Sequence, residues 1–445
     1  MAEIHPFRAL HYNPAKIPDL GKVVTQPYDK ITAEMQARYY ELSPYNLVRI
    51  IRGRQEPADN PQDNVYLRAV RDFRQWTKQG ILVSAPEPAL YPYYQEYDVP
   101  GQQGIRKQRR GFVALCRIED YSARVVHRHE ETLSGPKADR LELLKAARAH
   151  FGQIFMLYSD PPGAVETMLA SYAQQKPWEQ LIDEYGALHS VWQVTDHSAI
   201  AQVATAFRDK QLVIADGHHR YETALAYRDY CREQRKPDDH AECVMMTFIR
   251  METDGLTILP THRLVHSLPG FDWAKFATAA RAIFDWEEIP AHGSAGDWAS
   301  QLLRNVAQAG RERPTFGAYA GCGKVALLRL RHDFDLDSAL QDLPTTLRRL
   351  DVVILHRLLL EKILGIDREA VREEKNLHYC REFEVAAEQV EKDKAQVCFL
   401  LNPTPVEAVR DNALAGHALP QKSTDFYPKL LSGLTIYWLD NPAGL

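Results

Sequence analysis

The sequence predicts a mixed α/β protein, and three observations predict it. Short apolar runs of strand length, such as LVIA (Leu212–Ala215), QIFMLY (Gln153–Tyr158) and CVMMTFI (Cys243–Ile249), alternate with stretches whose apolar residues recur at helical spacing. The two kinds of segment do not fall into the strict strand–helix–strand repeat of a Rossmann sheet. At 445 residues the chain is too long for one ordinary core, which implies two or three domains.

From the N-terminus, the first fifty residues read as turns and short strands, VVTQPYDKI and SPYNLVRIIRG, around a short helix near Ala33–Glu41. RQEPADNPQDN (Arg54–Asn64) is a polar, proline-bearing loop. In VYLRAVRDFRQWTKQGIL the residues Val65, Leu67, Val70, Phe73 and Trp76 lie near helical spacing, and Gly80 ends the helix. ALYPYYQEYDV and RRGFVALCRIEDY look like paired strands. A helix runs from about Asp139 to a cap at Gly152. QIFMLYSD is a buried strand stopped by Pro161–Pro162–Gly163, and a helix, the strand ALHSVWQVTD and the helix AIAQVATAFRDKQ follow. ECVMMTFIRME and LTILPTHRLVHSL read as strands about the turn TDG. From about Gly270 the helices WAKFATAARAIF and DWASQLLRNVAQAG alternate with the strands TFGAYAG and KVALLRLR and with VVILHRLLLEKIL. A domain boundary is placed near Pro269, giving regions 1–269 and 270–445.

Composition narrows the function classes. Apolar residues make up 45% and charged residues 25%, as in a globular protein, and the net charge of −5 advertises no nucleic-acid footprint. The basic runs RKQRR (Arg106–Arg110) and REQRK (Arg232–Lys236) are short and read as solvated faces. Six cysteines without a C-x-x-C pair fit reduced thiols better than a disulfide framework. The N-terminus lacks an apolar core of signal-peptide length, and LDVVILHRLLLEKILGI is broken by His356, Arg357, Glu361 and Lys362. The expectation is a soluble, cytoplasmic protein.

The densest concentration of chemistry is LVIADGHHRYETALAY, residues 212–227. An apolar strand leads into Asp216 and Gly217, and a helix opens at His218–His219–Arg220. Glycine permits the backbone angles and the close ligand approach that such a turn demands. A helix start aims free N–H groups outward, and an anion there gains about 0.3–1 kcal/mol when exposed and up to ~2 when partly buried. Arg220 adds a fork suited to phosphate oxygens, and the two imidazoles can donate further bonds. Adjacent histidines on a helix point about 100° apart, and no H-x-H or H-x-x-x-H spacing supplies a second ligand, so a metal is the weaker reading. A structural reading also stands, with Asp216 capping the helix and Arg220 pairing with Glu222 or another carboxylate.

ADGHHRYETAL, together with HPFRAL, QPYDKI, SPYNLVRI, RRGFVAL, HEETL, Asp139–Arg140, LPTHRLV and PQKSTDFYPKLLSGL, resembles domain-of-unknown-function family 1015 along nearly the whole chain. More distantly, IADGHHR followed by a helix resembles the phosphate-binding box of the ParB/sulfiredoxin superfamily, which includes free-serine kinases and CTP-binding partition proteins. That resemblance implies a ParB/sulfiredoxin-like phosphate-binding core elaborated by a second α/β region. It marks Gly217, His218, His219 and Arg220 as phosphate holders. Sulfiredoxin's reactive cysteine has no counterpart in this box, where histidines stand.

HRHEETLSGPKADR (His127–Arg140) is the second polar concentration. Glu130 and Glu131 offer a general base or Mg²⁺ ligand, and His129 can orient either. A solvated loop with Asp139 capping the next helix explains the same residues. Asp29 in QPYDK offers a base or a plain turn. His262 and Arg263 in PTHRL read as a structural pair. PQKSTDFYPK lacks the glycine a P-loop needs before its lysine, and Lys422, Ser423, Thr424 and Lys429 either serve as phosphate donors or merely stabilise a turn. No nucleophile elbow or Ser-His-Asp pattern supports covalent hydrolysis.

These readings predict a nucleotide-dependent phosphotransferase using ATP or ADP with Mg²⁺ on a small hydroxyl metabolite, free L-serine first among them. Glu130, His129, Asp216 and His219 carry catalysis in that reading. Gly217, His218, His219, Arg220, Lys422, Ser423 and Thr424 hold the nucleotide, with the C-terminal segment returning to the site. The rival is a nucleotide-binding regulatory or sensor protein without fast turnover.

Overall fold

Each of the three apolar runs becomes a strand inside one sheet, which is why their side chains are apolar on both faces. In the computed structural model, residues 1–130, 135–234, 238–290 and 295–441 are described, with backbone alone at 135–137 and 295–297. The fold is mixed α/β, and it divides into two compact units. One takes Met1–Arg128, the residues from the following helix to Thr257, and the segment from Pro428 onward. The other takes Ile258–Tyr427 with His129 and Glu130.

The first unit is built on a nine-stranded sheet. Its order is Val126–His127, Leu212–Asp216, Ile154–Tyr158, Cys243–Arg250, Arg106–Arg117, Tyr91–Asp98, Leu188–Val191 and Glu179–Ile182, with Ile4–His5 also pairing to Arg106–Arg117. Leu212–Asp216 runs parallel to Val126–His127, and Cys243–Arg250 runs parallel to Ile154–Tyr158. The other pairings are antiparallel, so the expected absence of a Rossmann repeat holds. Helix His197–Phe207 packs Ile200, Val203 and Phe207 into a core with Phe112, Met156, Ile214, Tyr221 and Phe248. The register between Leu212–Asp216 and Ile154–Tyr158 shifts between Ile214 and Asp216. Such a bulge re-aims the side chain that follows it, and here that side chain is Asp216.

The second unit carries an antiparallel six-stranded sheet, ordered Phe284–Glu288, Val325–Leu330, Thr315–Tyr319, Val397–Leu400, His262–Val265 and Leu377–Cys380. Alternate residues of one strand enter different cores: Val325 and Leu327 join Leu302 and Phe383, while Ala326 and Leu328 join Phe276 and Leu359. Burial on both faces explains why VALL (Val325–Leu328) is an unbroken apolar run instead of an alternating one. The helix that begins at Asp351–Ile354 continues as a π-helix over Leu355–Ile363.

The division differs from the expected boundary near Pro269 and falls between Thr257 and Ile258. The reason is pairing, since His262–Val265 hydrogen-bonds to Leu377–Cys380 and Val397–Leu400. The C-terminal segment joins the first unit, where Tyr437–Trp438 pairs with Ala149–His150. Val48–Ile51, read as part of a strand, is a helical turn, because the Asn46 side chain accepts from the Val48 N–H at 2.9 Å and caps it. The helix from Gly135 ends at Ala147, with Arg148 at φ 50° taking the left-handed position expected of Gly152. Phe284, read as the last residue of a helix, instead opens the edge strand Phe284–Glu288. All six cysteines are free thiols, and no helix among the described residues is long and apolar enough to cross a membrane.

Candidate functional site

The turn at Asp216–Arg220 forms as its residue types require. Gly217 has φ +92°, and a Cβ on it would stand 2.9 Å from Arg220 Nε, so glycine is needed for both conformation and space. From there the helix His218–Glu233 begins. Asp216 Oδ1 accepts from the Gly217 N–H at 2.9 Å, while Oδ2 lies 3.3 Å from Lys429 Nζ and 3.7 Å from Arg220 Nη2. Arg109, fully buried, adds a third cation whose charge acts on Asp216, and burial pushes its pKa down to about 10. It donates to Gln95 Oε1 at 3.0 Å and to the Pro428 carbonyl. Asp216 is therefore a counter-ion that gathers cations. His218 is buried and His219 half-buried, with the His219 carbonyl accepting from Thr223 Oγ1 at 2.7 Å.

Arg220 reaches from this turn into a pocket of about 70 Å³ in the same unit, and its Nη1 donates to the Gln153 carbonyl. Pro27, Tyr28, Arg140, His150, Gly152 and Ser432 share the lining, with Leu143, Phe151 and Val244 as apolar wall. Two guanidiniums face this pocket, and among the described residues no carboxylate lines it. Arg140 donates to the Ile51 carbonyl at 2.6 Å, pairs with Asp139 and lies 4.3 Å from the Tyr28 ring centroid. Burial, with Asp29 and Asp139 nearby, pushes the Tyr28 phenol up to about 12 against the opposing pull of Arg220 and Arg140, so it stays a neutral donor. Burial pushes His150 down to about 4, which keeps its imidazole neutral where it stacks on Tyr437. A second, more polar cavity of about 470 Å³ shares Ile51, Arg140 and Leu143 and adds Gln36, Arg52, Gln55 and Tyr66.

The other predicted residues meet inside the second unit. Thr424 donates to Glu130 Oε1 from both its N–H and its hydroxyl, each at 2.8 Å, and the Lys422 N–H donates to Oε2 at 3.2 Å. Buried His129 places Nε2 2.8 Å from the Thr424 hydroxyl oxygen. Lys422 sits at φ +57°, so this turn presents backbone N–H groups to one point, the geometry of an anion nest. The anion in it is the protein's own carboxylate. Ser423 Oγ donates to the Pro420 carbonyl at 2.5 Å. Glu131 lies outside the described residues. Arg263 is fully buried, donating to the Lys422 carbonyl at 3.1 Å, and beside it His262 is pushed down to about 3 by burial and by that guanidinium.

A sequence profile described as "Protein of unknown function (DUF1015)" matches residues 4–353. The chain belongs to that family. No curated protein is similar enough to count as a relative. Among solved structures, a conserved hypothetical protein from Pyrococcus furiosus aligns at 12% identity over 71% of this chain and 93% of its own, with a TM-score of 0.34. A free serine kinase variant in complex with ADP aligns at 12% identity over 76% of this chain and 96% of its own, with a TM-score of 0.36. SbnI with a C-terminal truncation, from Staphylococcus aureus, aligns at 9% identity over 74% and 90%, with a TM-score of 0.33. These values are too low for a function to be read across.

Within this family member, the first unit brings together Asp216, Gly217, His218, His219, Arg220 and Lys429, and adds Tyr28 and Arg140 from distant segments. The second unit brings together His129, Glu130, Lys422, Ser423 and Thr424. Sequence reasoning named the QPYDK and Asp139–Arg140 segments without joining them to Arg220. It read Arg109, which is fully buried, as part of a solvated basic run and Gly152 as a helix cap, and it did not single out His150.

Proposed function

We propose that the Arg140–Arg220 pocket holds the phosphates of ATP or ADP, and that the protein transfers a phosphoryl group between that nucleotide and a small hydroxyl compound, free L-serine being the first candidate. The observation carrying this reading is a partly apolar pocket with two guanidiniums and no lining carboxylate among the described residues. Each charge-assisted bond to phosphate contributes about 1.5–3 kcal/mol, and the helix starting at His218 adds its N-terminal field. Gly152 and Ser432 leave room beside Arg220, where a Cβ on Gly152 would lie 3.3 Å from Ser432 Oγ and 3.7 Å from Arg220 Nη1. The bordering 470 Å³ cavity is of the size that accepts a nucleoside.

Phosphoryl transfer depends on positioning and charge more than on covalent chemistry. Among the described residues no group of three or more His, Cys, Asp or Glu side chains forms a metal cage. Mg²⁺ held largely by phosphates needs only one or two carboxylates, and Asp139, which lines the bordering cavity, would supply one. Because Glu130 is engaged by the Lys422–Thr424 turn, Asp29 takes the base role in this reading. Phosphorus NMR of the full chain with ATP, ADP and CTP against amino acids tests the proposal. Turnover with serine is the expected result. Saturated binding without turnover for any acceptor would overturn the transferase and leave a nucleotide sensor.

A further inference from the structure

We propose that the second unit holds a binding site of its own for a short-chain monocarboxylate, in the cavity lined by His356 and Arg372. This cavity measures about 140 Å³, and Leu347, Val353 and Ile366 give it an apolar wall. His356 stands on the π-helix Leu355–Ile363. Helices widen this way mostly as single turns, frequently at functional sites.

His356 is 8% exposed, and its Nε2 lies 3.3 Å from Arg263 Nε. A guanidinium only donates, so Nε2 accepts and the neutral ring keeps its proton on Nδ1. That N–H has no protein acceptor among the described residues. His356 lines the cavity, and a ligand there can supply this donor with an acceptor.

The charges around the cavity select the kind of acceptor. Arg357 pairs with Asp342 at 2.8 Å and Glu361 at 3.0 Å, and Arg368 shares the same two carboxylates at 3.4 and 3.9 Å. Those four charges cancel. Arg372, exposed on the lining, makes no ion pair among the described residues. One donor from His356 and one unneutralised guanidinium suit a single carboxylate, whose two oxygens can accept from both. The apolar wall suits an alkyl tail. A phosphate dianion would find one unpaired guanidinium for two charges beside the hydrocarbon wall, and an amine would meet Arg372.

The site is tested by calorimetry of the full chain with butyrate, isovalerate and hexanoate, each against its alcohol. His356 is followed by ¹⁵N NMR of labelled imidazole. Saturable binding of the acids, tightening with tail length, a shifted Nδ1 resonance and no binding of the alcohols are expected. Arg372→Ala, at an exposed position, should leave the melting curve unchanged and weaken hexanoate about tenfold or more, as loss of one charge-assisted bond implies. No saturable acid binding, equal binding of the alcohols, or unchanged affinity in Arg372→Ala would overturn the site. Displacement of hexanoate by equimolar inorganic phosphate would overturn its selectivity for a monocarboxylate.

Discussion

Arg220 has two tasks in one side chain: it ties the Gln153 carbonyl and Asp216 to its helix, and it faces the pocket. Arg220→Ala therefore removes a phosphate fork and a tether together. ADP affinity by calorimetry should fall roughly ten- to a hundredfold, equivalent to about 1.5–3 kcal/mol, with a smaller loss of thermal stability. Arg220→Lys should restore only part of the affinity, because lysine offers a point charge without the two-pronged geometry. A variant that melts early yet binds ADP unchanged would make Arg220 purely structural. Glu130 differs, since both its oxygens accept from the Lys422–Thr424 turn. Glu130→Gln should lower the unfolding free energy from urea titration by about 1.5–3 kcal/mol, the worth of bonds to a charged acceptor. If that variant keeps full stability while losing turnover, the base role returns to Glu130. At this scale Gly217 and Arg220 were legible because their local chemistry is unusual. Tyr28 and Arg140 were legible only as fragments, since nothing local says that they meet.

Among elements, the strand–turn–helix over 212–233 followed its sequence because each part agrees: an apolar strand, a glycine at positive φ and a helix that buries Tyr221, Ala224 and Cys231 on one face. Gly217→Ala sets that agreement against itself. The left-handed angle costs a non-glycine residue roughly 1–2 kcal/mol, and the added methyl meets the Arg220 guanidinium. Urea titration should show that loss, and ADP affinity should fall with it because Arg220 must move. Unchanged stability would mean that the turn relaxes to another conformation. Val48–Ile51 shows the opposite case. Its β-branched run favours a strand by local propensity, and the Asn46 cap and burial of Val48, Ile50 and Ile51 make it helical.

Over the whole molecule, buried histidines set the response to acid. Burial holds His150 near 4 and His262 near 3, and pushes His356 well below the ordinary 6.5. The folded state refuses protons that the unfolded chain accepts below pH 6.5, so stability falls as pH drops from 6.5 toward 4. Asp351 acts with the opposite sign: burial raises it to about 7, so the folded state binds its proton more tightly and gains stability as pH falls toward 3.8. With His189 and His266 also lowered, five histidines stand against two raised aspartates, Asp351 and Asp72, so the melting temperature should decline across that window. His262→Gln should flatten the decline, and a melting temperature rising steadily from pH 6.5 to 4 would contradict the assignment.

The amino-acid order by itself determined the mixed α/β class, most of the strands and helices, family membership and the turn at Gly217, because each is written in residues close together in the chain. Only the tertiary structure decided the division at Thr257, the pairing of Tyr437–Trp438 with Ala149–His150 and the meeting of Tyr28, Arg140 and Arg220. It also decided that Glu130 closes on the Lys422–Thr424 turn. These depend on pairings between residues far apart in sequence. Strand partners are chosen by backbone hydrogen bonding and by burial of whole faces, and no local pattern carries that choice.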